Sequence, residues 1–223
     1  MRNINKNDFL NRSVETLEQI LGMFDKLPVI SLKELQGSKT ALIIVDMING
    51  FTREGALKSP RIEKIIPQIA NLSKMCNDNG IIKLAFADCH TNASPEFDAY
   101  PPHCIKGSCE VEIVDELKEI GGYTLISKNS TNGFLEEDFF KWLMDNKNID
   151  TFIITGDCTD ICIQQFAITL KTWFNMKNKK ARVIVPINAV ETYDLELHNG
   201  DLMNVMSLYN MMGNGVEIVK SVD

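Results

Sequence analysis

Short runs of apolar, mostly β-branched residues alternate along the chain with stretches in which apolar residues recur every three or four positions. The short runs have the length of strands, and the second pattern is typical of amphipathic helices. Strands that are apolar throughout and separated by helices indicate a parallel sheet covered on both faces. We therefore expect an α/β fold, a three-layer α/β/α doubly wound sandwich around a mainly parallel six-stranded sheet. The strands are predicted at residues 40–45, 81–87, 123–127, 151–155, 182–187 and 216–219, with helices near residues 62–79, 110–120, 135–146, 161–175 and 196–212.

A further helix is predicted ahead of the first strand, at residues 7–27, where apolar residues follow a 3.6-residue period up to Pro28. We divide the chain into an N-terminal helical extension at residues 1–37 and one domain at residues 38–223. A chain of 223 residues is long enough for one domain with a sizeable core. The extension would pack on that core or on a second subunit, so the sequence is compatible with a homo-oligomer.

Composition and charge narrow the classes of partner. Hydrophobic residues make up 44% of the chain and the net charge is −7, which disfavours nucleic acid and anionic membranes as partners. No apolar run approaches the ~20 residues of a membrane span, and the N-terminus lacks the apolar core of a signal peptide. Six cysteines in such a chain are typical of reduced thiols. We expect a cytoplasmic protein that acts on a small molecule.

Reactive side chains stand where the predicted strands end. Asp46 follows the first strand, Asp88 the second and Lys128 the third, and Cys162 lies in the segment GDCTDIC after the fourth. In doubly wound sheets, ligands bind beyond the carboxyl ends of the strands. A thiol beside a carboxylate and a lysine suits nucleophilic catalysis.

Cys162 is the candidate nucleophile. Thr159 and Asp160 are predicted to cap the helix that follows, which would leave Cys162 in the first turn. A helix N-terminus and a nearby lysine both lower the pKa of a thiol. The alternative role for Cys162 is that of a small buried hydrophobic residue.

A second group of polar residues lies in the segment DCHTNASPEFDAYPPHC. Its two histidines and two carboxylates suit zinc, iron or manganese, with room for water or substrate. A polar loop with solvated histidines explains the segment equally well. The four residues are Asp88, His90, Glu96 and His103. His198, in a late segment, is predicted to be a surface or capping histidine.

Five motifs, in this order and spacing, resemble the isochorismatase-like cysteine hydrolases, and within them the nicotinamidase/pyrazinamidase branch. The resemblance covers roughly residues 38–200. The motifs are VDMINGF (45–51), DCH (88–90), YPPHCIKGS (100–108), SKNSTNGF (127–134) and GDCTDIC (156–162). Departures from the family pattern are Ile48 in place of a frequent Gln, Tyr100 in place of Trp, and Cys158 in place of a small residue such as Ala.

The resemblance implies roles for these residues. It implies one divalent metal ion per subunit, with zinc ahead of iron and manganese, and a cis peptide between Asp157 and Cys158. By the resemblance, the catalytic triad would be Asp46, Lys128 and Cys162, and the metal ligands would be Asp88, His90, Glu96 and His103. The backbone N–H groups of Cys158 and Cys162 would form the oxyanion hole. The aromatic residues that bind the substrate would be Phe51 and Tyr100.

The activity that the resemblance implies is hydrolysis of nicotinamide, or a related small aromatic amide, to the acid and ammonia through a thioester on Cys162. Such an activity would serve NAD salvage. Two alternatives stay open: a hydrolase of the same family that acts on another small amide or a ureido compound, and a non-catalytic metal-binding scaffold with the same fold.

Overall fold

The fold is known from a computed structural model, which describes residues 4–35 and 37–223. Strands and helices alternate through most of that range. The strands are β1 (Val29–Ile30), β2 (Thr40–Val45), β3 (Ile82–Asp88), β4 (Tyr123–Lys128), β5 (Thr151–Asp157), β6 (Arg182–Pro186), β7 (Val190–Glu191), β8 (Glu217–Val219) and β9 (Ser221–Val222). The α-helices are α1 (Lys6–Phe24), α2 (Asn49–Thr52), α3 (Pro60–Glu63), α4 (Ile66–Asp78), α5 (Asp115–Ile120), α6 (Glu137–Asp145), α7 (Gln164–Met176) and α8 (Gly200–Gly213).

The main sheet is parallel, as predicted, and its strands run in the order β4-β3-β2-β5-β6-β8. It has seven strands rather than six, because β7 pairs with the end of β5. A strand of two residues is too short to produce a recognisable hydrophobic pattern, so the sequence did not indicate it. The order reverses between β2 and β5, and such a switch point opens a crevice at the carboxyl ends of the strands.

Alternate residues of β2 supply two cores, one on each face of the sheet. Ala41, Ile43 and Val45 pack with apolar residues of α1, α6, α7 and α8. Leu42 and Ile44 pack with residues of α4 and α5 on the other face. Because side chains alternate across a strand, a strand that is apolar at every position needs helices packed on both faces of the sheet. The predicted three-layer sandwich is therefore confirmed.

The N-terminal extension is tied to the other end of the chain. α1 buries Ile20 and Phe24 in the core on the α8 side. β1 then forms a separate two-stranded parallel sheet with β9, and the Leu32 amide donates to the carbonyl of Asp223 over 2.6 Å. The division at residue 37 stays a prediction, and residues 1–3 and 36 of the predicted extension lie outside the described residues.

The helix predictions differ from the structure mainly at the ends of elements. The helix predicted at residues 62–79 is split into α3 and α4, with Pro67 in the first turn of α4. The helix predicted at 110–120 is α-helical only over α5. Among residues 4–35 and 37–223, no helix combines the length and apolar character that crossing a bilayer requires.

Candidate active site

The carboxyl ends of β2, β3, β4 and β5 converge at the switch point. Asp46 follows β2 directly and has a left-handed backbone (φ 56°), a conformation that Asp adopts more readily than most residues. β5 passes very close to β2 here, since a Cβ on Gly156 would lie 1.9 Å from the carbonyl oxygen of Val45. Only glycine allows that approach, which brings the ends of β2 and β5 together.

Lys128, at the end of β4, is the centre of the cluster and is fully buried. Its Nζ lies 2.8 Å from Oδ2 of Asp46 and 2.6 Å from Oδ1 of Asp88. The same Nζ is 3.6 Å from Sγ of Cys162. The three residues predicted as a triad are thus brought together, and Asp88 joins them through the lysine.

Burial dominates the electrostatics of the acid and the thiol. It raises the pKa of Asp46 to about 7, although Lys128 opposes the shift. It also raises the pKa of Cys162 well above its usual value, again against the attraction of Lys128. The expectation of a lowered thiol pKa is therefore wrong for the free protein, because desolvation of the thiolate outweighs the nearby cation. Cys162 needs a base to remove its proton, and Asp46 is adjacent to the same lysine.

The segment that carries Cys162 differs from the prediction. Residues Thr159–Ile163 form a π-helical turn before α7, and neither Thr159 nor Asp160 caps it with its side chain. Asp160 Oδ1 instead accepts a hydrogen bond from Thr192 Oγ1 at 2.6 Å, and its Oδ2 lies 2.7 Å from Nε2 of His198. The peptide between Asp157 and Cys158 is cis, as the resemblance implied.

His198 is therefore more than a surface histidine. Its side chain is 18% exposed, its Nδ1 lies 3.0 Å from the carbonyl oxygen of Tyr193, and its ring stacks on the ring of Tyr193. The cap of α8 is the side chain of neighbouring Asn199, which accepts from the Leu202 amide. The capping role predicted for His198 is thus wrong, and the histidine fixes the segment that carries Tyr193.

The four predicted metal ligands converge beside Lys128. One ligand atom from each lies within 4.8 Å of the others, and the group is buried apart from the half-buried Glu96. Nε2 of His90 and Oε2 of Glu96 are buried with no hydrogen-bond partner among the described residues. The four are Asp88, His90, Glu96 and His103.

The histidine tautomers fit a cation in this cluster. Nδ1 of His103 lies 2.9 Å from the carbonyl oxygen of Pro101, which can only accept, so Nδ1 donates there and Nε2 is the ring nitrogen that faces the other ligands. Nδ1 of His90 lies 3.0 Å from Oδ1 of Asn129, which assigns the same tautomer. Metal-ligating histidines are usually held in this way. Two carboxylates and two imidazoles whose Nε2 atoms face one another's ligand atoms therefore fit zinc, iron or manganese.

A cavity of about 340 Å³ opens onto the nucleophile and the metal-ligand cluster. Its volume lies within the range of small-molecule sites. Phe51 and Tyr100 both line it, as predicted, and their rings contact that of His103 with centroids 5.7 and 6.1 Å apart. Cys158 and Cys162 also line it.

Two residues of this site, Phe97 and Tyr193, are not among those predicted from the sequence. Phe97 packs edge-on against both ligand histidines, with ring centroids 5.6 Å from each. Tyr193 lines the cavity from the segment that His198 fixes. Phe97 lies inside the metal-ligand segment and could have been noticed there, but no pattern in the sequence marks Tyr193.

Comparisons with known proteins agree with this geometry. The family model of the isochorismatase domain matches residues 40–215. Nicotinamidase 1 of Arabidopsis thaliana is 32% identical over 214 residues, which cover 83% of this chain and 87% of the relative. Nicotinamidase of Acinetobacter baylyi is 27% identical over 224 residues, which cover 86% of this chain and 98% of the relative.

A solved structure shows the same fold. The crystal structure of Pyrococcus horikoshii pyrazinamidase in complex with zinc matches with a TM-score of 0.68 and 26% identity, over 82% of this chain and 99% of that chain. The family model covers most of the sheet and every residue of the converging strand ends. The chain belongs to the isochorismatase family and, within it, to the nicotinamidase/pyrazinamidase branch.

Proposed function

We propose that this protein hydrolyses nicotinamide, or a closely related small aromatic amide, to the carboxylic acid and ammonia, with Cys162 as the nucleophile. The observation that carries the proposal is the position of the Lys128 ammonium group. It contacts a carboxylate that can act as a base, the thiol of Cys162 and the metal-ligand cluster, all within 3.6 Å. The cavity beside them accommodates a small molecule.

The reaction begins with activation of the thiol. Asp46 accepts the proton of Cys162, and Lys128 stabilises the thiolate that forms. The thiolate attacks the carbonyl carbon of the amide and produces a tetrahedral oxyanion. The backbone N–H groups of Cys158 and Cys162 donate hydrogen bonds to that oxyanion.

Collapse of the tetrahedral intermediate releases ammonia. Protonated Asp46 gives its proton to the departing nitrogen, and the acyl group remains on Cys162 as a thioester. Asp46, again ionised, then removes a proton from a water molecule that attacks the thioester. The carboxylic acid leaves, and the thiol of Cys162 is restored.

A divalent cation held by Asp88, His90, Glu96 and His103 would offer a Lewis-acidic position to the ring nitrogen of a pyridine carboxamide. The protein residues around the cavity orient the same ring. Phe51 and Tyr100 line the cavity beside His103, and an aromatic substrate can pack against them. Orientation of the amide towards Cys162 is the main contribution that we assign to this part of the cavity.

Ammonia release from nicotinamide by the purified protein tests the proposal. We expect release that falls when the protein is treated with a chelator and returns when zinc, iron or manganese is added. If metal-loaded protein releases no ammonia, nicotinamide is not the substrate, and other small amides and ureides become the candidates.

A substitution at the nucleophile tests the chemistry. Cys162→Ala should abolish turnover and leave metal binding intact, because Cys162 is not among the four ligands. Retained amidase activity would contradict the assignment of Cys162. Zinc as the native metal, a cytoplasmic location, a role in NAD salvage and a homo-oligomeric state stay predictions.

A further inference from the structure

Tyr193 lines the cavity from a segment that is anchored to the turn carrying Cys162, and the mechanism above gives it no role. The residue is half-buried, so part of its side chain is accessible. The anchor is Asp160, two positions before the nucleophile. Its Oδ1 accepts a hydrogen bond from Thr192 Oγ1 at 2.6 Å, and its Oδ2 lies 2.7 Å from Nε2 of His198. One carboxylate of the catalytic turn therefore holds the chain on both sides of Tyr193.

A tight turn brings His198 back over Tyr193. The backbone groups of Leu195 and His198 exchange hydrogen bonds of 3.1 and 2.8 Å, and Glu196 within the turn has a left-handed backbone (φ 50°). The rings of Tyr193 and His198 stack, with centroids 3.8 Å apart and 9° between their planes. No other aromatic ring of residues 4–35 and 37–223 contacts Tyr193. His198 thus covers one face of the tyrosine ring, and no ring covers the other face.

The hydroxyl end of Tyr193 lies among groups of the cavity wall. Burial raises the pKa of Tyr193 to about 12. The negative charges that Cys158, Asp160 and Tyr100 can carry add to this shift, and such an effect requires these groups to lie near the hydroxyl. Cys158 and Tyr100 both line the cavity. The phenol therefore reaches towards the space that a substrate would fill.

We propose that Tyr193 is a specificity-determining residue, whose ring packs against the aromatic ring of the amide and limits its size. Asp160 and His198 are the positioning residues that hold the tyrosine ring in place. These roles rest on the proposed amidohydrolase function. Contacts between aromatic rings contribute about 3–10-fold to affinity, and the wall of a pocket also selects substrates by the atoms that it excludes.

Removal of the ring tests the contact. Tyr193→Ala should raise KM for nicotinamide by about 3–10-fold and leave kcat nearly unchanged, because the ring touches no reacting atom. Tyr193→Phe keeps the ring and should stay near the wild type. Tyr209→Ala is the matched control, since Tyr209 lies on α8, is 44% exposed and is not among the described residues that line the cavity.

The kinetic constants come from ammonia release by metal-loaded protein whose fold is verified by circular dichroism. An unchanged KM in Tyr193→Ala would overturn the proposal, as would a KM that rises equally in Tyr193→Phe. Tyr193→Leu replaces the alanine variant if the latter does not fold.

A larger amide tests the limit on size. Quinoline-3-carboxamide is nicotinamide with a second ring fused to the pyridine ring. Because Tyr193→Ala opens space, the ratio of kcat/KM for this amide to kcat/KM for nicotinamide should rise by about tenfold or more. The ratio should not change in Tyr193→Phe. A ratio that stays at the wild-type value in Tyr193→Ala would overturn the role in specificity.

A double-mutant cycle tests the positioning role of His198. His198→Ala removes the stacked ring and the contact with Asp160, and it should raise KM for nicotinamide with kcat little changed. In the Tyr193→Ala background the same change should have little further effect, because the ring that His198 holds is absent. Fully additive effects would show that His198 acts independently of Tyr193, and would overturn the positioning role.

Binding to inactive protein separates this proposal from the proposed function. In metal-loaded Cys162→Ala protein, Tyr193→Ala should weaken the binding of nicotinamide by about 3–10-fold, measured by calorimetry. If the wild type hydrolyses no amide but this weakening is observed, the proposed function fails and the contact with Tyr193 stands. Binding that Tyr193→Ala does not weaken, or no binding of nicotinamide at all, would overturn the contact.

Discussion

Lys83 and Lys128 are both buried in the sheet layer, on neighbouring strands, yet their surroundings are opposite. Lys83 lies near the start of β3 and is 1% exposed; Lys128 lies at the end of β4 and is fully buried. All three atoms that accept hydrogen bonds from Lys83 are neutral oxygens: the carbonyl and hydroxyl of Ser73 and the carbonyl of Gly121. Those around Lys128 include two carboxylates and a thiol sulfur.

The two environments shift the lysine pKa values in opposite directions. Burial lowers the pKa of Lys83, since no carboxylate in the described part of the chain compensates for the lost hydration. Two carboxylates raise the pKa of Lys128 well above its usual value, although burial acts against them. Burial by itself does not mark a functional lysine. The difference is that Lys128 shares its charge among groups that can each exchange a proton or bind a ligand, whereas the partners of Lys83 are two backbone carbonyls and a serine hydroxyl.

Replacing Lys128 should have the largest effect. Lys128→Met keeps the length of the side chain and removes the charge, so the thiolate loses its cation and two buried carboxylates lose their partner. We expect kcat/KM for amide hydrolysis to fall by about 10³-fold or more, measured as ammonia release from protein whose fold is verified by circular dichroism. If kcat/KM of the Lys128→Met variant stayed within tenfold of the wild-type value, the charge of Lys128 would matter no more for catalysis than that of Lys83.

Asn129→Ala should have the next largest effect, because this residue beside Lys128 holds the ring of His90. Loss of such a support typically weakens metal binding by about 10–100-fold, which competition with a chelator can measure. Asn132→Ala is the matched control on the same loop, since the Asn132 side chain bonds to Thr169 and Phe134 instead. Similar losses in both variants would mean that the loop, rather than the histidine contact, determines affinity.

The corresponding change at Lys83 should affect stability and leave activity alone. Lys83→Met leaves the Ser73 hydroxyl and the Gly121 carbonyl without their donor, so the free energy of unfolding should fall by about 1–3 kcal/mol. Denaturant unfolding measures that loss, and kcat/KM should stay near the wild-type value. A large loss of activity in folded Lys83→Met protein would contradict a purely structural role.

The smallest effect is a dependence of stability on pH. Between the lowered pKa of Lys83 in the folded protein and its ordinary value of 10.5, the unfolded chain binds more protons than the folded chain. The contribution of Lys83 to the free energy of unfolding therefore rises with pH across that interval. Unfolding of the wild type and Lys83→Met at a series of alkaline pH values should show a difference that grows with pH; a difference that shrinks would contradict the lowered pKa.

The sequence predicted the position of the site better than its electrostatics. Asp46 and Asp88 each follow a buried apolar run, and Lys128 ends the largely exposed strand β4. Because all three stand at the carboxyl ends of predicted strands, the rule for parallel sheets was enough to bring them together. The pKa of Cys162 was not predictable in the same way. A local argument from a helix N-terminus and a lysine lowers it, whereas its burial depends on packing from distant elements.

Short elements and unpatterned loops account for most of what the sequence did not reveal. β7 has two residues, and two residues cannot display a period. Tyr193 reaches the cavity through hydrogen bonds between Asp160 and two residues more than 30 positions away, Thr192 and His198. Those contacts form only after the fold has assembled.

The pairing of β1 with β9 determines where this chain can be cut. Both strands lie outside residues 40–215, the part that the family model matches. A shortened chain that began at residue 40 would lack β1, which is the only strand that pairs with β9 among the described residues. It would also lack Leu32, whose amide donates a hydrogen bond to the carbonyl of Asp223. Anyone trimming the protein for crystallisation or for a fusion should therefore treat the two ends as one unit, to be kept together or removed together.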